Sequence, residues 1–339
     1  MASPLFLAAV GRQTQNLSIF DPASPPADSI RNLAILVLAI TGAIFVVVEG
    51  ILIYCILRFR RRAGSTSEPP QVYGSKSIEI AWTAAPCLIV AILVLVTART
   101  LWEVNVDHPK PQKGDNALHV TVIGHQFWWE YRYDNYNDDE EHPLGFTTAN
   151  ELVIPAGRKV YLTLQSADVC HSYWVPRLAG KVDLIPGRTN YMWFETKETG
   201  LFVGQCAEFC GSQHANMLLR VIVKSPEDFE TWLKHEQADQ PTPVSTELLD
   251  ARNKFMQQSC VTCHRIRGTS AQDRGAPDLT HVMSRQTLAA GMLENDAAGE
   301  NLTKWVDDPQ KIKPGCLMPA FGLTGRDRKL VLDYLKSLK

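Results

Sequence analysis

The sequence predicts a multidomain protein: a transmembrane α-helical hairpin, then an all-β sandwich, then a small all-α domain. Two stretches near the N-terminus are nearly free of charged residues. Apolar residues alternate in the middle of the chain, and near its end they recur at helical spacing. The length of 339 residues also exceeds one ordinary domain. We therefore expect two globular domains attached to a membrane hairpin.

The composition argues against two classes of protein. Hydrophobic residues make up 45% of the chain, and 34 Lys and Arg nearly balance 36 Asp and Glu. Such a chain is not disordered by composition, and it has no excess of positive charge, so nucleic acid is not an expected partner. Its 8 cysteines are too sparse for a disulfide scaffold, but they cluster. Clustering in a long chain favours metal or cofactor ligation.

Two stretches are long and apolar enough to cross a membrane. The first, residues 33–57, contains Glu49 as its one charged residue, and the second, about residues 78–98, contains Glu79 at its start. About 20 apolar residues span the hydrocarbon core of a bilayer. Two buried helices of a soluble protein are the alternative, but such helices normally keep a polar face. We expect a hairpin over residues 29–103, preceded by an N-terminal extracytoplasmic segment, residues 1–28.

The distribution of positive charge predicts the orientation of the hairpin. Before the first span there are only Arg12 and Arg31, whereas the loop between the spans carries Arg58, Arg60, Arg61, Arg62 and Lys76. Positive loops stay in the cytoplasm, so both ends of the hairpin should face outward. Residues 1–12 have a short apolar run without a basic region before it, so we do not predict an intact signal peptide, and a processed remnant stays open.

The remaining chain divides into two regions of different periodicity. Apolar residues alternate within residues 104–237, which predicts a sandwich of short strands that ends in a helix from about Pro226 to Gln237. Residues 238–245 are polar and contain prolines, as in a semi-rigid linker. Residues 246–339 show apolar residues at helical spacing, which predicts a small helical domain.

A first group of metal-binding residue types lies in the predicted sandwich. Its members are His171, Cys206, Cys210, His214 and Met217. Soft sulfur ligands favour copper, and two thiolates bridging two coppers, each with one imidazole, account for the count better than a mononuclear site. A structural zinc site is the alternative, but it would leave Met217 without a role. We interpret Cys170, beside His171, as a small buried residue.

A second group lies in the predicted helical domain. Cys260-Val-Thr-Cys263-His264 is the pattern of covalent c-type haem attachment, with His264 as an axial ligand of the iron. Met318 follows some 55 residues later, after Lys313-Pro-Gly315, and we expect it to be the other axial ligand, although a core methionine is the alternative. Ligation by His and Met fills both axial positions and favours electron transfer.

The hairpin, GHQFWWEY (residues 124–131), DVCHSYWVP (residues 168–176) and CAEFCGSQHANM (residues 206–217) resemble subunit II of cytochrome c oxidase. The resemblance covers roughly residues 29–234, and the C-terminal segment resembles a class I cytochrome c. The resemblance implies a cupredoxin fold for residues 104–237 and a cytochrome c fold for residues 246–339.

The resemblance also implies a ligand set for the dinuclear copper centre called CuA. Cys206 and Cys210 would bridge the coppers, and His171 and His214 would each bind one of them. Met217 and the backbone carbonyl of Glu208 would be weak ligands to one copper each. The side chain of Glu208 would also hold Mg²⁺ at the boundary with subunit I.

The residues around Glu79 alone leave two interpretations open. A carboxylate at a helix N-terminus is favoured by the backbone dipole by ~0.3 to 1 kcal/mol and needs no other role. The segment Glu79-Ile-Ala-Trp82 is similar to the family segment whose glutamate begins a proton-uptake path into the partner subunit. The resemblance therefore implies proton uptake for Glu79.

The resemblance implies an electron-input subunit of a terminal haem-copper oxidase. Electrons would pass from the fused haem to CuA and on to subunit I, where oxygen is reduced to water and protons are translocated. The expected partners are subunit I, other oxidase subunits, membrane lipid, and a respiratory cytochrome or supercomplex as external donor. We expect a multi-pass protein of the bacterial inner membrane, with both metal-binding domains on the extracytoplasmic side.

Two other functions stay open at this point. The same module could serve a copper-containing nitric oxide reductase, or it could be a membrane-tethered electron carrier without a permanent catalytic partner. Glu79 favours the oxidase, and a second span is more than an anchor needs. Phe127 departs from the tryptophan through which the family often receives electrons from soluble cytochrome c, and the fused haem domain offers a replacement donor.

Overall fold

A computed structural model describes residues 17–61, 64, 68, 70–105, 116–133 and 145–339. The segment of residues 1–12 and the loop residue Arg62 lie outside these residues, so the interpretation of that segment stays a prediction. The chain forms two compact units. One is Asp28–Asn105, and the rest of the chain forms the other.

The first unit is a pair of long helices, α1 (Pro25–Arg58) and α2 (Lys76–Val104). Both are long and apolar enough to cross a membrane. The hydroxyl of Ser29 donates to a carboxylate oxygen of Glu103 at 3.0 Å, so the start of α1 lies beside the end of α2, as in an antiparallel hairpin. Both helices are longer than the predicted apolar stretches, because the polar residues at their ends are also helical.

The second unit begins with a β-sandwich of two five-stranded sheets. One sheet has the order β3-β2-β1-β5-β8 and the other β4-β10-β9-β6-β7. The strands are β1 (Leu118–His125), β2 (Trp128–Tyr133), β3 (Phe146–Ala149), β4 (Glu151–Pro155), β5 (Val160–Ser166), β6 (His171–Trp174), β7 (Val182–Leu184), β8 (Asn190–Phe194), β9 (Gly200–Cys206) and β10 (Leu218–Lys224).

Alternating apolar side chains of both sheets fill the space between them. Along β5, Val160, Leu162 and Leu164 are fully buried, and the residues between them are partly exposed. Helix α3 (Pro226–Gln237) then closes the sandwich, and its bounds are those the sequence predicts. Its N-terminus is capped by Ser225, whose hydroxyl accepts a hydrogen bond from the Asp228 amide at 3.1 Å.

The C-terminal region is mainly helical, as predicted. Its helices are α4 (Thr246–Met256), α5 (Glu300–Asp307), α6 (Pro309–Ile312) and α7 (Gly325–Ser337), and a short hairpin, β11 (Thr287–Leu288) with β12 (Leu293–Glu294), lies among them. Helices α4 and α7 pack together through Phe255 and Tyr334, whose ring centroids are 5.3 Å apart. The multidomain fold class predicted from the sequence is therefore confirmed.

The helical region is packed against the sandwich. Glu151 of β4 is buried, and its carboxylate accepts hydrogen bonds from the amides of Gln286 at 3.0 Å and Thr287 at 2.7 Å. The Thr287 hydroxyl donates to the same carboxylate at 2.9 Å. Burial raises the pKa of Glu151, although these hydrogen bonds act in the opposite direction. Residues of the linker also take part, since the amide of Gln240 donates to the Arg267 carbonyl at 3.2 Å.

Val160→Ala should lower the free energy of unfolding by about 2 kcal/mol, because it removes two buried methyl groups and leaves a cavity in the sandwich core. Urea unfolding of the detergent-solubilised chain, followed by tryptophan fluorescence, measures this loss. Val244→Ala is the matched control, since Val244 is 98% exposed. It should change the free energy by less than about 0.5 kcal/mol. Equal losses in the two variants would contradict the core position of Val160.

Candidate metal centres

The predicted copper ligands lie at the ends of three strands of one sheet. His171 begins β6, Cys206 ends β9, and Met217 directly precedes β10. Strands β6 and β9 are antiparallel neighbours, and the Cys206 amide donates to the Met217 carbonyl at 3.0 Å. This hydrogen bond closes the loop of residues 206–217, which we call the copper loop. The sheet therefore fixes both the loop and His171 that faces it.

The six predicted ligands, five side chains and the Glu208 carbonyl, converge around the two cysteine sulfur atoms. The Sγ atoms of Cys206 and Cys210 are 3.9 Å apart. Cys206 Sγ lies 3.9 Å from Nδ1 of His171 and 3.2 Å from the Glu208 carbonyl oxygen. Around Cys210 Sγ, Nδ1 of His214 lies at 3.7 Å and the Met217 sulfur at 3.8 Å. The arrangement would offer each of two metal ions one imidazole, one weak ligand and both sulfurs.

Electrostatics around the two thiols favour a bound cation. The hydrogen bond from the Cys210 thiol lowers the pKa of Cys206 far below its ordinary value, and His171 lowers it further. The same pairing raises the pKa of Cys210. The two thiols therefore interact strongly, and a soft metal ion that displaces their protons would be bound by both sulfurs. Among the described residues, the ligand atoms of His171, Cys206 and Cys210 all lie within 4.8 Å of one another, which is close enough for one metal ion.

Asp168, which the sequence analysis missed, holds His171 in position. Its Oδ1 lies 2.8 Å from Nε2 of His171, and its Oδ2 accepts a hydrogen bond from the Gln126 amide at 2.6 Å. Burial lowers the pKa of His171, but the bonds to Asp168 and Cys206 outweigh it and raise the pKa. A proton held on Nε2 leaves the Nδ1 lone pair facing Cys206. Asp168 lies only three residues before His171, so its position in the sequence could have identified it.

The turn of residues 124–128, which we call the aromatic turn, packs against the copper loop. A Cβ at Gly124 would lie 2.7 Å from Cδ2 of His171, so only glycine fits there without displacing the imidazole. Gln126 Nε2 donates to the Cys210 carbonyl at 2.5 Å. A Cβ at Gly211 would lie only 3.1 Å from the Phe127 ring, so the ring is packed closely against Gly211 of the copper loop. The copper loop is thus supported on one side by this turn.

Cys170 is exposed, which corrects the interpretation of it as a buried residue. His171 is completely buried, and successive side chains of an extended segment point to opposite sides. The neighbour that precedes His171 is therefore directed to solvent. Cys170 is not part of the donor cluster.

The haem motif forms one wall of a large, mostly apolar cavity of about 200 Å³. Cys260, Cys263, His264 and Met318 all line it. Nδ1 of His264 lies 2.7 Å from the Pro277 carbonyl and so carries the proton, which leaves Nε2 as the free lone pair. Burial lowers the pKa of His264 and keeps the imidazole neutral, as a metal ligand must be. These residues fit a covalently attached c-type haem.

The loop before Met318 is held by Gln310. Nε2 of Gln310 donates to the carbonyls of Cys316 and Met318, both at 2.7 Å. The Met318 side chain is thus attached to an ordered loop. The alternative of a methionine in the hydrophobic core is weaker, because Met318 lines the same cavity as the haem motif and is not among the buried residues of the core.

The aromatic turn of the sandwich forms another wall of the same cavity. Gln126, Phe127 and Trp128 all line it. Trp128 stacks on His125 with ring centroids 4.3 Å apart, and Phe127 is 6% exposed. Phe127 therefore contacts the haem cavity on one side and the copper loop on the other.

The structure places the two remaining predicted residues at exposed positions. Glu79 lies in the first turn of α2, where its amide donates to the Ser75 carbonyl at 3.0 Å. The side chain of Glu208 is exposed, although its carbonyl faces Cys206. The roles of these two carboxylates in proton uptake and Mg²⁺ binding stay predictions.

Three known families match successive parts of the chain. They are described as the transmembrane domain of cytochrome c oxidase subunit II for residues 12–99, its periplasmic domain for residues 118–225, and cytochrome c for residues 250–339. Cytochrome c oxidase subunit 2 of Alkalihalophilus pseudofirmus is 36% identical over 326 residues, which cover 96% of this chain and 92% of that one. The protein of the same description from Bacillus subtilis is 34% identical over 351 residues, covering 99% and 95%.

A solved structure is also similar to part of the chain. It is the periplasmic domain of subunit II of cytochrome oxidase from Bradyrhizobium japonicum, with 29% sequence identity and a TM-score of 0.33. The match covers 38% of this chain and 96% of that chain.

Asp168→Asn should weaken copper retention about 10–100-fold, because the amide does not hold the His171 imidazole as the carboxylate does. Competition with a copper chelator of known affinity measures the change. Asp183→Asn is the matched control, since Asp183 is exposed on the neighbouring strand β7 and lies opposite Ser172. Unchanged retention in Asp168→Asn would show that the carboxylate does not orient the ligand.

Proposed function

The chain belongs to the cytochrome c oxidase subunit II family and carries a cytochrome c domain at its C-terminus, and on this basis we propose how electrons pass through it. Electrons enter at a c-type haem in the C-terminal domain, pass to a dinuclear CuA centre in the sandwich, and leave to subunit I. Subunit I then reduces oxygen to water and translocates protons. The family and the cytochrome c domain support an electron-input role in the oxidase.

One observation carries the proposed route. The haem cavity and the copper loop share a wall, the aromatic turn, and Phe127 contacts both. An electron needs short distances between donor and acceptor, and this placement supplies them within one unit of the chain. A tethered carrier that passes charge between diffusing proteins would not need its two redox sites to face each other.

The copper loop supplies ligands for two copper ions. Cys206 and Cys210 would hold both ions, the imidazoles of His171 and His214 would each hold one, and Met217 and the Glu208 carbonyl would complete the ligand set. When bound, such a pair shares one electron between two metals, so that little rearrangement accompanies each transfer. The protein's own contribution is to keep the ligands fixed, through the strand pairing of β6 with β9 and through the hydrogen bond that His171 donates to Asp168.

The cytochrome c domain supplies the attachment of one haem. Cys260 and Cys263 would attach the haem through thioethers, and His264 and Met318 would ligate its iron. A haem held by these four residues would supply one-electron transfer, and the two iron ligands would keep oxygen from the iron. Pro277 fixes the tautomer of His264, and Gln310 fixes the loop of Met318.

The family supports a proposal about the surroundings of the subunit. Oxidase subunit I and the other oxidase subunits are its partners, membrane lipid surrounds α1 and α2, and the external donor is a respiratory cytochrome or a supercomplex component. Both helices span the bacterial inner membrane, with the metal-binding domains on the extracytoplasmic side. The side chain of Glu208 holds Mg²⁺ at the boundary with subunit I.

Purification in mild detergent tests this proposal. We expect the chain to travel with a large multi-helix subunit, to keep its haem after denaturing electrophoresis, and to hold two coppers per covalent haem. The complex should consume oxygen with a reduced cytochrome as donor. Recovery of the chain alone would indicate a tethered carrier, and reduction of nitric oxide in place of oxygen would indicate the reductase.

Cys210→Ser should abolish the copper signal of a shared-valence pair and leave the haem absorbance unchanged, because a serine hydroxyl does not bridge two coppers as a thiolate does. Electron paramagnetic resonance and optical spectra of the purified complex measure both. Oxygen uptake should fall to background, since electrons would stop at the haem. Cys170→Ser is the matched control and should change neither signal. An unchanged copper hyperfine pattern in Cys210→Ser would refute bridging.

Glu79→Gln should lower oxygen uptake by on the order of tenfold or more, because the amide cannot carry a proton toward subunit I. Reduction of CuA by the haem should stay unchanged, which stopped-flow absorbance measures. Glu68→Gln is the control, since Glu68 is an exposed carboxylate in the loop between the same two helices. Normal oxygen uptake in Glu79→Gln would show that Glu79 is not needed for proton uptake, and that it only stabilises the N-terminus of the helix.

A further inference from the structure

We propose that Lys313 is a positioning residue that fixes the loop of the cytochrome c domain on the copper loop, and so holds the two redox sites at one separation. The proposal deepens the electron route given above and rests on it. The length of the linker alone would allow a range of separations. Glu151 holds another part of the interface, and Lys313 fixes the arrangement of the two loops beside the candidate metal centres.

Lys313 makes hydrogen bonds that join the two domains. It is 2% exposed, and its Nζ donates to the carbonyls of Phe127 at 2.8 Å, Asn216 at 2.9 Å and Ala289 at 3.2 Å. An ammonium group has three N–H donors, and three carbonyls match them. Two of these carbonyls belong to the sandwich and one to the cytochrome c domain itself. The side chain therefore crosses the interface.

Burial of this charge points to a specific role. A buried ammonium is costly unless its donors are all satisfied. At the interface of two domains that only needed to pack, an apolar side chain would avoid that cost. Replacing Lys313 by an apolar residue would leave one buried carbonyl, that of Phe127, and two partly buried carbonyls without this donor, which is destabilising. The lysine therefore specifies one docked arrangement of the two loops.

The three carbonyls belong to residues at the candidate metal centres. Phe127 and Ala289 line the haem cavity, and Asn216 lies between the predicted copper ligands His214 and Met217. Lys313 stands five residues before Met318 in the sequence. A single ammonium group thus connects the wall of the haem cavity, the copper loop and the loop of the axial methionine.

Two further contacts join the same loops. Gln213 Nε2 donates to the Pro314 carbonyl at 2.9 Å. Gly315 has a φ of +85°, and a Cβ there would lie 2.9 Å from the Ser212 hydroxyl. The two residues that follow Lys313 are therefore also in direct contact with the copper loop. At another part of the interface, Glu151 holds β11, so loss of Lys313 should loosen the interface near the metals without separating the domains.

Lys313 takes no part in the redox chemistry. In that step one electron leaves the ferrous haem iron, which becomes ferric, and reduces the mixed-valence copper pair to two cuprous ions. No bond forms or breaks, and no proton moves. The lysine acts only on the separation and orientation of donor and acceptor.

The test is Lys313→Met in the complete oxidase complex, with Lys311→Met as matched control. Lys311 lies two residues away and is exposed, so its replacement removes the same charge from the same segment. Pulsed electron paramagnetic resonance measures the distance between the oxidised haem and CuA, flash photolysis measures the electron-transfer rate, and optical spectra report the ligands. Hydrogen exchange of residues 124–128 and 213–218 reports docking without reference to either metal group.

We expect one narrow distance in the native complex and in Lys311→Met. In Lys313→Met we expect a broad distance distribution, faster hydrogen exchange in both segments and unchanged haem and copper spectra. The electron-transfer rate should fall by on the order of tenfold or more, since small displacements of reacting groups have large effects on rate. Altered spectra would mean that Lys313 supports the ligands and not the docking, which would overturn the proposal.

A narrow distance and unchanged hydrogen exchange in Lys313→Met would also overturn it, as would equal effects of the two variants. If the complex with Lys313→Met does not assemble, the same measurements are made on Lys313→Gln, which keeps an amide donor. Their outcome then decides whether Lys313 fixes the docking. Absence of the haem or of the copper pair from the native complex would instead refute the proposed function. Hydrogen exchange would still decide the docking in that case.

Discussion

The pairing of two thiols on one short loop is the constraint on which the rest of this structure depends. Two sulfur atoms 3.9 Å apart in a buried site are unfavourable as two thiolates, because like charges repel, unless a cation lies beside them. The loop can keep them together because strands on both sides fix its ends, and because the Cys206 amide binds the Met217 carbonyl. The sandwich thus provides a rigid frame that a flexible peptide of the same sequence would lack.

The copper loop is also the surface on which the cytochrome c domain is docked. Its residues Ser212, Gln213 and Asn216 contact the segment of residues 313–315, and its other side rests on the aromatic turn. A loop held from both sides has little freedom to rearrange when the charge of its site changes. The docking of the second domain and the rigidity of the copper site therefore have the same structural basis.

The sequence predicted the features that depend on local patterns. Apolar periodicity was sufficient for the fold class, and the cysteines of each motif lie within a few residues of one another, so spacing alone identified them. Lys313 and Glu151 were not found, because their partners lie 186 and 136 positions away, and only the folded chain brings these groups together. Cys170 was assigned wrongly because the side of the sheet to which it points depends on where β6 begins, and the sequence does not mark that residue.

The position of Phe127 links the departure from the family pattern to the fused domain. An aromatic residue that receives electrons from a diffusing cytochrome has to be accessible, whereas Phe127 is 6% exposed and its carbonyl is bound by Lys313. A soluble donor could not reach this ring without displacing the attached domain. Fusion keeps the donor near CuA at a high effective concentration, and docking then removes the search for the correct orientation. On the proposed route, an external donor therefore has to deliver its electron to the haem, and the haem alone supplies CuA.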